Sequence, residues 1–508
     1  MLEHRKIFRG LEASSDWQLQ WGLALIYGIF YLLQVQWQSP NADVLVYALR
    51  SAADRPILDF AFLDAPYIPG KEALPNYHLG HTVLLWLVYH LFPEGLRHTL
   101  LPGGIFSALC GALVVGSSYR IWRELRFEKK TALLAAAYAG LIPSIWFHSL
   151  IGEVYIPQLL SILLFLLYFL QERWILSAFF FLLANLISPV SALSFSFILF
   201  RPVNAKRLGA AVGIGLSALI VYLAIFKLLQ IDLWKVVDNV SPDQSDESLF
   251  WKGYTAALYI LLNFNFFIWW GVQGLKEMKH RFANFFYLYL LALAPQLLLW
   301  VIHSQFLVEL GSFQLPLFWA LSLPVALCLE KSEILSSRPF KLAIVGLFLL
   351  TLVMWHFTEN TRAQNLAAAG NWVARNVPEE VKIIGNWTHG FGVSFHRYGW
   401  NLSQINRRYL DVPTPGESAL LESAEPELLL VHYRRHWFRE WLARLPGAFF
   451  RIPPYKPLES VRQGTIEKVY ENGEVIIYRW KRKPAENSQK IEKPHSGKNL
   501  LGELTHPR

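Results

Sequence analysis

The chain has 508 residues, 54% of them hydrophobic and 15% aromatic, and a formal net charge of +9. A soluble protein of this length is rarely so apolar, and long apolar runs recur at near-regular intervals, which excludes a soluble enzyme and indicates a polytopic membrane protein. The positive charge arises in loops on one predicted side and in a basic tail, and it is no sign of nucleic-acid binding. Both cysteines, Cys110 and Cys328, fall inside apolar runs, so neither a disulfide framework nor a thiolate metal site is predicted.

The first predicted span covers residues 17–37 and follows a short basic segment. It is too long for the h-region of a signal peptide and lacks a small-residue cleavage site. We therefore interpret it as an uncleaved helix whose N-terminus lies in the cytoplasm.

A polar, aromatic-rich outer loop is predicted over residues 37–99. Asp43 opens it, one short step past the first span and on a stretch with helical character. The loop also contains four candidate ligands for a substrate: Arg50, Arg55, His78 and His81. A loop of this length held against a membrane is a natural place for chemistry. Because Arg50 follows Asp43 by seven residues, the two side chains can share one helical face.

The apolar stretch 82–92 within this loop is predicted to lie along the membrane surface. It has about a dozen residues, whereas a span needs about 20. If it crossed the bilayer, the basic cluster at residues 120–130 would lie outside, against the positive-inside rule. An interfacial helix leaves that cluster in the cytoplasm.

With that assignment, the remaining apolar runs alternate across the membrane and give about eleven spans in an all-α core. The runs after the outer loop cover residues 100–119, 131–149, 155–170, 175–188, 190–200, 208–230, 254–275, 285–303, 315–329 and 342–357. Pro189 interrupts one pair of short runs, which is predicted to form either a re-entrant hairpin or a tilted pair.

The character of the sequence changes after the last span, so three regions are predicted: a membrane core over 1–358, an α/β domain over 359–480, and a disordered tail over 481–508. Helices are expected at 361–376 and 436–445, and buried strands at 381–387 and 428–433. Asn472-Gly473 between two further strands is a strong hairpin signal. The span count places this domain outside the cell.

A second acid, Glu153, lies in the turn between two predicted spans, on the same membrane face as Asp43. Its simplest interpretation is a solvated acid near the N-terminus of the next helix, stabilised by the helix dipole. The functional interpretation is that Asp43 and Glu153, each at the end of a span, converge on one cavity. Both side chains are expected to be in contact with water, where removing a charge costs little stability.

The order of these features resembles the GT-C glycosyltransferases, in particular the protein O-mannosyltransferase-like and aminoarabinose-transferase-like members. Gly152-Glu153-Val154-Tyr155 is similar to a Glu-Val-Tyr run of a related membrane branch, and the segment from Asn76 to His81 occupies the start of the in-plane helix. The resemblance covers the pattern of spans, loops and motifs in residues 17–200, and the general order of membrane core and C-terminal domain over the whole chain. In contrast to the family, no second acid stands beside Asp43, and no prolines follow His78.

The resemblance implies an integral-membrane transferase of a hexose or pentose, with a polyprenyl-phosphate-linked sugar as donor and a glycan, lipid or protein as acceptor. It implies that Asp43 acts as the general base and that Glu153 assists it. The predicted substrate ligands are Arg50, Arg55, His78, His81, Tyr155 and Arg362. No cofactor follows with certainty; a divalent cation (Mg or Mn) is the candidate, although His78 and His81 are more simply surface residues than metal ligands.

Two other classes share these features: a non-catalytic carrier or flippase for lipid-linked sugars, and a polysaccharide polymerase or ligase. A transporter should show internal repeats and charged or broken helices at mid-membrane depth. Here the acids gather at the outer boundary, which favours an enzyme. The predicted location is the inner (plasma) membrane, with the C-terminal domain on the extracytoplasmic side.

Overall fold

A computed structural model describes residues 15–35, 44, 47–48, 51–52, 78–97, 99–229, 249–302, 312–354, 361–378, 380–385, 409–411, 427–433, 464–473 and 475–482. This part of the chain is mostly helical, with a small mixed sheet near its C-terminus. The predicted helix at 436–445 and the predicted tail lie outside the described residues.

The helices follow one another along the first three quarters of the chain. They are α1 Asp16–Leu32, α2 Leu79–His90, α3 Leu101–Glu124, α4 Lys129–Leu141, α5 Pro143–His148, α6 Tyr155–Leu170, α7 Trp174–Ile187, α8 Ala205–Leu228, α9 Leu249–Phe264, α10 Phe267–Arg281, α11 Ala283–Ile302, α12 Leu315–Leu329, α13 Arg338–Met354 and α14 Thr361–Asn376. A 3₁₀ helix, Pro189–Phe200, separates α7 from α8.

Three stretches of described helix are long and apolar enough to cross a membrane: Leu101–Glu124, Ala205–Leu228 and Ser312–Leu329. Shorter apolar helices surround them, including α6 and α7. The outer surface of α8 exposes Leu208, Val212 and Leu216, an apolar face of the kind that suits lipid. The count of about eleven spans stays a prediction from the sequence.

Two predicted spans are broken in the structure, each at a residue with a physical reason to break a helix. The run 131–149 divides into α4 and α5 at Ile142, which has extended φ and ψ because Pro143 follows it. The run 254–275 divides into α9 and α10 near Asn265, whose φ of 37° lies in the left-handed region that Asn tolerates better than most residues.

The short run after Pro189 is a 3₁₀ helix of 12 residues, and whether it forms a re-entrant hairpin or a tilted pair with the preceding run stays a prediction. Side chains three apart share a face in a 3₁₀ helix, and Ser191, Ser194, Phe197 and Phe200 are accordingly all buried. Ser196 Oγ donates a 2.6 Å hydrogen bond to the carbonyl of Ala292 on α11. This hydroxyl contact ties the irregular segment to its neighbour.

The centre of the helical part is filled by aromatic side chains. Trp122 of α3 stacks on Trp319 of α12 with 4.7 Å between ring centroids, and Trp319 Nε1 donates to Ser118 Oγ at 2.7 Å. Gly274 of α10 permits close packing against α12, since a Cβ there would lie 1.6 Å from the carbonyl oxygen of Pro324. Three distant stretches of sequence are thereby joined in one core.

Charged residues join the helices at one end of the helical part, which we call the ion-pair end. Asp16 at the start of α1 accepts from Tyr119 Oη at 2.6 Å and from Arg123 Nε at 3.1 Å. Glu172 pairs with Lys206 and Arg207. Arg281 pairs with Glu330, and Lys130 donates to the Glu330 carbonyl. The basic clusters predicted to share one side of the membrane therefore lie together at this end.

The sheet has the strand order β2-β1-β3-β5-β4, with β1 Lys382–Gly385, β2 Tyr409–Asp411, β3 Glu427–Tyr433, β4 Gly464–Glu471 and β5 Val475–Arg482. β1 is parallel to β2 and β3, whereas β5 is antiparallel to β3 and β4. The predicted hairpin is present: Asn472 Oδ1 accepts from Val475 N at 2.8 Å. β2 was not predicted from the sequence. Residues of α14 form one hydrophobic cluster with Val431 and Ile477 of the sheet.

Candidate functional site

The start of α2 is anchored to the end of α7. His78, directly before α2, donates from Nδ1 to the carbonyl of Ile187 at 2.6 Å. Gly80 allows the two backbones to meet, because a Cβ there would lie 3.0 Å from the backbone of Leu186 and Ile187. The helix predicted at 82–92 thus begins three residues earlier, and its first turn is fastened to the protein rather than to the membrane surface alone.

His81 lies at the centre of this junction and is fully buried. Its ring stands edge-on to Tyr47 at 4.9 Å, and neither ring nitrogen has a hydrogen-bond partner of normal geometry among the described residues. Burial lowers the pKa of His81 to about 3; His78 acts in the same direction, and the nearby backbone of Gly152 opposes the shift. Burial likewise lowers the pKa of His78 to about 4. Both imidazoles are therefore neutral at neutral pH.

The neutral state determines which interactions these two histidines can make. A neutral ring offers one N–H donor and one lone-pair acceptor, whereas only the protonated form adds a positive charge. Both rings can therefore take part in hydrogen bonds but contribute no positive charge, and His78 already donates to the carbonyl of Ile187. His78 and His81 were predicted from the sequence to be substrate ligands, and that role stays a prediction.

Glu153 follows a tight contact between two glycines. A Cβ on Gly152 would lie 3.0 Å from Cα of Gly103 at the start of α3, so the turn before α6 docks directly on α3. Glu153 itself is only 1% exposed, and its Oε2 accepts from the Val154 backbone N–H at 3.2 Å. The prediction of a solvated carboxylate at a wet boundary was wrong, because the glycine contact draws the whole turn inside.

Tyr155 is buried between two aromatic rings from other parts of the chain. Its ring lies edge-on to His148 of α5 at 4.9 Å and to Phe313 at 5.1 Å. Phe313 belongs to a short 3₁₀ turn, Ser312–Gln314, that leads into α12. Neither His148 nor Phe313 was identified from the sequence, since no local motif marks either residue as a neighbour of Glu153.

These contacts define the site end of the helical part: His81, Glu153, Tyr155, Phe313 and Gln314, with their neighbours. α3, α6 and α12 all begin at this end and finish at the ion-pair end. A helix of 24 residues is about 36 Å long, so the two ends are separated by a distance comparable to a bilayer core.

Four of the predicted site residues cannot be placed. Asp43, Arg50 and Arg55 lie outside the described residues, and Arg362 belongs to α14 but its side chain is not described. The residues that follow Asp43 are informative: Val44, Tyr47, Ala48, Ser51 and Ala52 are helical and buried. Their spacing is that of a single helical face, and Tyr47 turns this face towards His81.

No group of three or more His, Cys, Asp or Glu side chains suited to a metal ion occurs among the residues that the structure describes. His81 is beside the Glu153 turn, but these two side chains do not form a ligand set with a third described acid or imidazole. The candidate divalent cation (Mg or Mn) stays a prediction from the sequence.

No known protein-family model matches the chain, and no curated protein sequence matches it. Among solved structures, ArnT (aminoarabinose transferase) from Cupriavidus metallidurans bound to undecaprenyl phosphate is similar with a TM-score of 0.55 at 11% identity, over 92% of this chain and 98% of that one. The same protein in its apo state has a TM-score of 0.53 at 11% identity, over 91% and 97%. The Archaeoglobus fulgidus oligosaccharyltransferase in the apo form has 0.50 at 13% identity, over 82% and 69%.

Proposed function

We propose that this chain, which has the GT-C fold, is an integral-membrane glycosyltransferase that moves a hexose or pentose from a polyprenyl-phosphate carrier to an acceptor. The observation that carries the proposal is the buried site end around Glu153, on a fold otherwise found in ArnT and in an oligosaccharyltransferase. The ArnT structure contains undecaprenyl phosphate, a lipid of the class that the proposal requires.

A lipid-linked donor explains why so apolar a protein would hold a polar site. The isoprenoid tail stays in the bilayer, whereas the phosphate and sugar reach the membrane boundary. The site end has polar groups within reach of such a boundary, and the apolar surface of α8 suits the surrounding lipid. We infer that this end faces the extracytoplasmic side of the inner membrane, because the ion-pair end holds the basic clusters that the positive-inside rule retains in the cytoplasm.

In the proposed reaction an acceptor hydroxyl oxygen forms a bond to the anomeric carbon of the sugar. The bond between that carbon and the phosphate oxygen breaks, and the carrier leaves as a phosphate. Asp43 accepts the proton of the hydroxyl group. No strong general acid is needed, because the phosphate is already a good leaving group. Glu153 positions the acceptor, and Arg50, Arg55 and Arg362 are the candidate cations for the phosphate.

A neutral His81 fits this reaction as a ligand for a hydroxyl group. His81 lies next to the Glu153 turn, near the Gly152 backbone, and its neutral ring carries one N–H donor and one acceptor nitrogen. Sugars present neighbouring hydroxyl groups, each of which can donate and accept. We therefore propose that His81 contacts a hydroxyl group of the sugar or of the acceptor, whereas His78 holds the start of α2 against α7.

The decisive experiment is transfer of radiolabelled sugar from undecaprenyl-phosphate donors by the full-length protein in proteoliposomes. Asp43→Asn should lower turnover about 10²–10⁴-fold, since the amide cannot accept a proton, while binding of undecaprenyl phosphate is retained. Asp59→Asn, in the same loop, is the matched control and should remain active. Near-normal turnover by the Asp43→Asn protein would remove the base assignment.

A further inference from the structure

Gln314 is a buried polar residue that takes no part in the proposed reaction described above. It is 0% exposed, and neither Nε2 nor Oε1 has a hydrogen-bond partner within the described part of the chain. Gln314 precedes α12 but makes no capping hydrogen bond to it. Leaving both atoms of a buried amide unpaired is unfavourable, so such a group requires an explanation.

The other buried glutamines of the described helices behave differently. Gln158 of α6 donates to Ser191 at 3.0 Å, and Gln296 of α11 donates to Ser194 at 3.0 Å. Both partners come from the 3₁₀ helix, one turn apart. Gln296 Oε1 also has no partner, so Gln314 is the one of these three buried glutamines, among the described residues, that lacks a partner at both amide atoms.

That position is the site end. Gln314 follows Phe313 directly, and the Phe313 ring contacts Tyr155, two residues after Glu153. Glu153 is nearly as buried as Gln314. A substrate that binds beside Glu153 and Tyr155 would therefore lie at the same end of the helical part as Gln314.

We propose that Gln314 recognises the sugar of the lipid-linked donor, with Nε2 donating to one hydroxyl and Oε1 accepting from the neighbouring one. The choice of a sugar follows from the two unpaired atoms: a phosphodiester can only accept hydrogen bonds and would leave Oε1 unpaired, whereas adjacent hydroxyls satisfy both. Tyr155 and Phe313 add an aromatic surface for the C–H face of a sugar ring. The inference rests on the proposed function and names a residue that sets sugar specificity.

This role predicts an unusual combination of effects. Gln314→Met keeps the length of the side chain and removes both unpaired polar atoms, so the protein alone should be as stable as the wild type or more stable. Binding of the glycosylated donor should weaken about 10- to 100-fold, the range for hydrogen bonds lost to a buried ligand. A residue with a merely structural role would show the opposite pattern.

The test measures the thermal unfolding midpoint of the full-length protein in detergent. The probes are undecaprenyl phosphate alone and undecaprenyl phosphate that carries mannose, glucose or arabinose. In the wild type at least one glycosylated lipid should raise the midpoint more than the carrier alone. In Gln314→Met the shift caused by the carrier should persist, and the additional shift caused by the sugar should disappear. The KM for that donor should rise correspondingly in the transfer assay.

Gln158→Met is the matched control, one helical turn after Tyr155. It loses the hydrogen bond to Ser191, so its midpoint without lipid should fall while the additional sugar shift is kept. A Gln314→Met protein that is destabilised without lipid and retains the sugar shift would overturn the inference and leave the proposed function standing. A wild-type protein that responds to none of the lipids would instead contradict the proposed function itself.

Discussion

The two ends of the helical part treat polar groups in opposite ways. At the ion-pair end, three acids each pair with an arginine: Asp16 with Arg123, Glu172 with Arg207, and Glu330 with Arg281. At the site end, His81 and Gln314 are fully buried and lack normal hydrogen-bond partners among the described residues. The ion pairs of the first end join helices, whereas the polar atoms of these two side chains at the second end do not hold the fold together through hydrogen bonds of normal geometry.

The difference has a physical consequence for stability. Partly exposed ion pairs contribute little each, but buried polar groups without partners destabilise a fold. The site end is held instead by backbone contacts, namely Gly80 on Leu186 and Gly152 on Gly103. Such an arrangement is expected where binding or chemistry, rather than folding, determines which side chains are present.

The largest expected effect is a loss of sugar-transfer activity when a carboxylate is removed at the site end but not at the ion-pair end. Glu153→Gln should lower turnover about 10²-fold or more, because the amide cannot carry the charge that positions the acceptor. The fold should persist, since the amide oxygen can still accept from the Val154 N–H. Sugar transfer in proteoliposomes measures the loss, with the thermal midpoint as the check on folding.

Glu172→Gln is the counterpart at the ion-pair end, where the carboxylate pairs with Lys206 and Arg207. This protein should turn over normally. Equal losses of activity in the Glu153→Gln and Glu172→Gln proteins would show that the site end is no more important for turnover than the ion-pair end.

The next effect is a dependence of stability on pH that originates at the site end. The folded-state pKa of His78 is about 4, below the value of 6.5 for a free histidine. Between these two values the unfolded state binds the additional proton, so the contribution is complete above pH 6.5 and is lost as the pH falls towards 4. At pH 5 the loss is about 2 kcal/mol of unfolding free energy.

Denaturation of the detergent-solubilised protein at pH 7 and pH 5 measures this dependence. His78→Asn should weaken it, because the Asn amide can still donate to the Ile187 carbonyl but does not titrate. His280→Asn alters an exposed histidine of α10 and should leave the dependence unchanged. A wild-type protein equally stable at both pH values would contradict the buried neutral state of His78.

The smallest effect concerns the ion-pair end. Asp16→Asn weakens the hydrogen bonds from Tyr119 and Arg123, both partly exposed to solvent, and should cost about 1 kcal/mol of stability. Turnover per folded molecule should not change, because α3 separates this end from the site. A loss of activity larger than the loss of folded protein would show that the two ends are coupled.

Much of the fold followed from local patterns in the sequence. The bounds of α6, α12 and α14 coincide with the predicted residues 155–170, 315–329 and 361–376, and Asn472-Gly473 forms the expected hairpin. Hydrophobic periodicity and turn chemistry depend on neighbouring residues, so a single sequence suffices to identify them. The GT-C plan was also recognisable, because it is an order of spans and loops along the chain.

Tertiary structure alone decided how the site is built. The sequence identified Glu153 but predicted a solvated acid, because the contact between Gly152 and Gly103 joins residues far apart in the chain. The neutral state of His81 depends on its complete burial. Gln158 and Gln296 each donate to a serine, whereas neither amide atom of Gln314 has a partner among the described residues, and this difference supports the role proposed for Gln314. Burial and the absence of a partner are properties of the packed surroundings, and no local pattern encodes them.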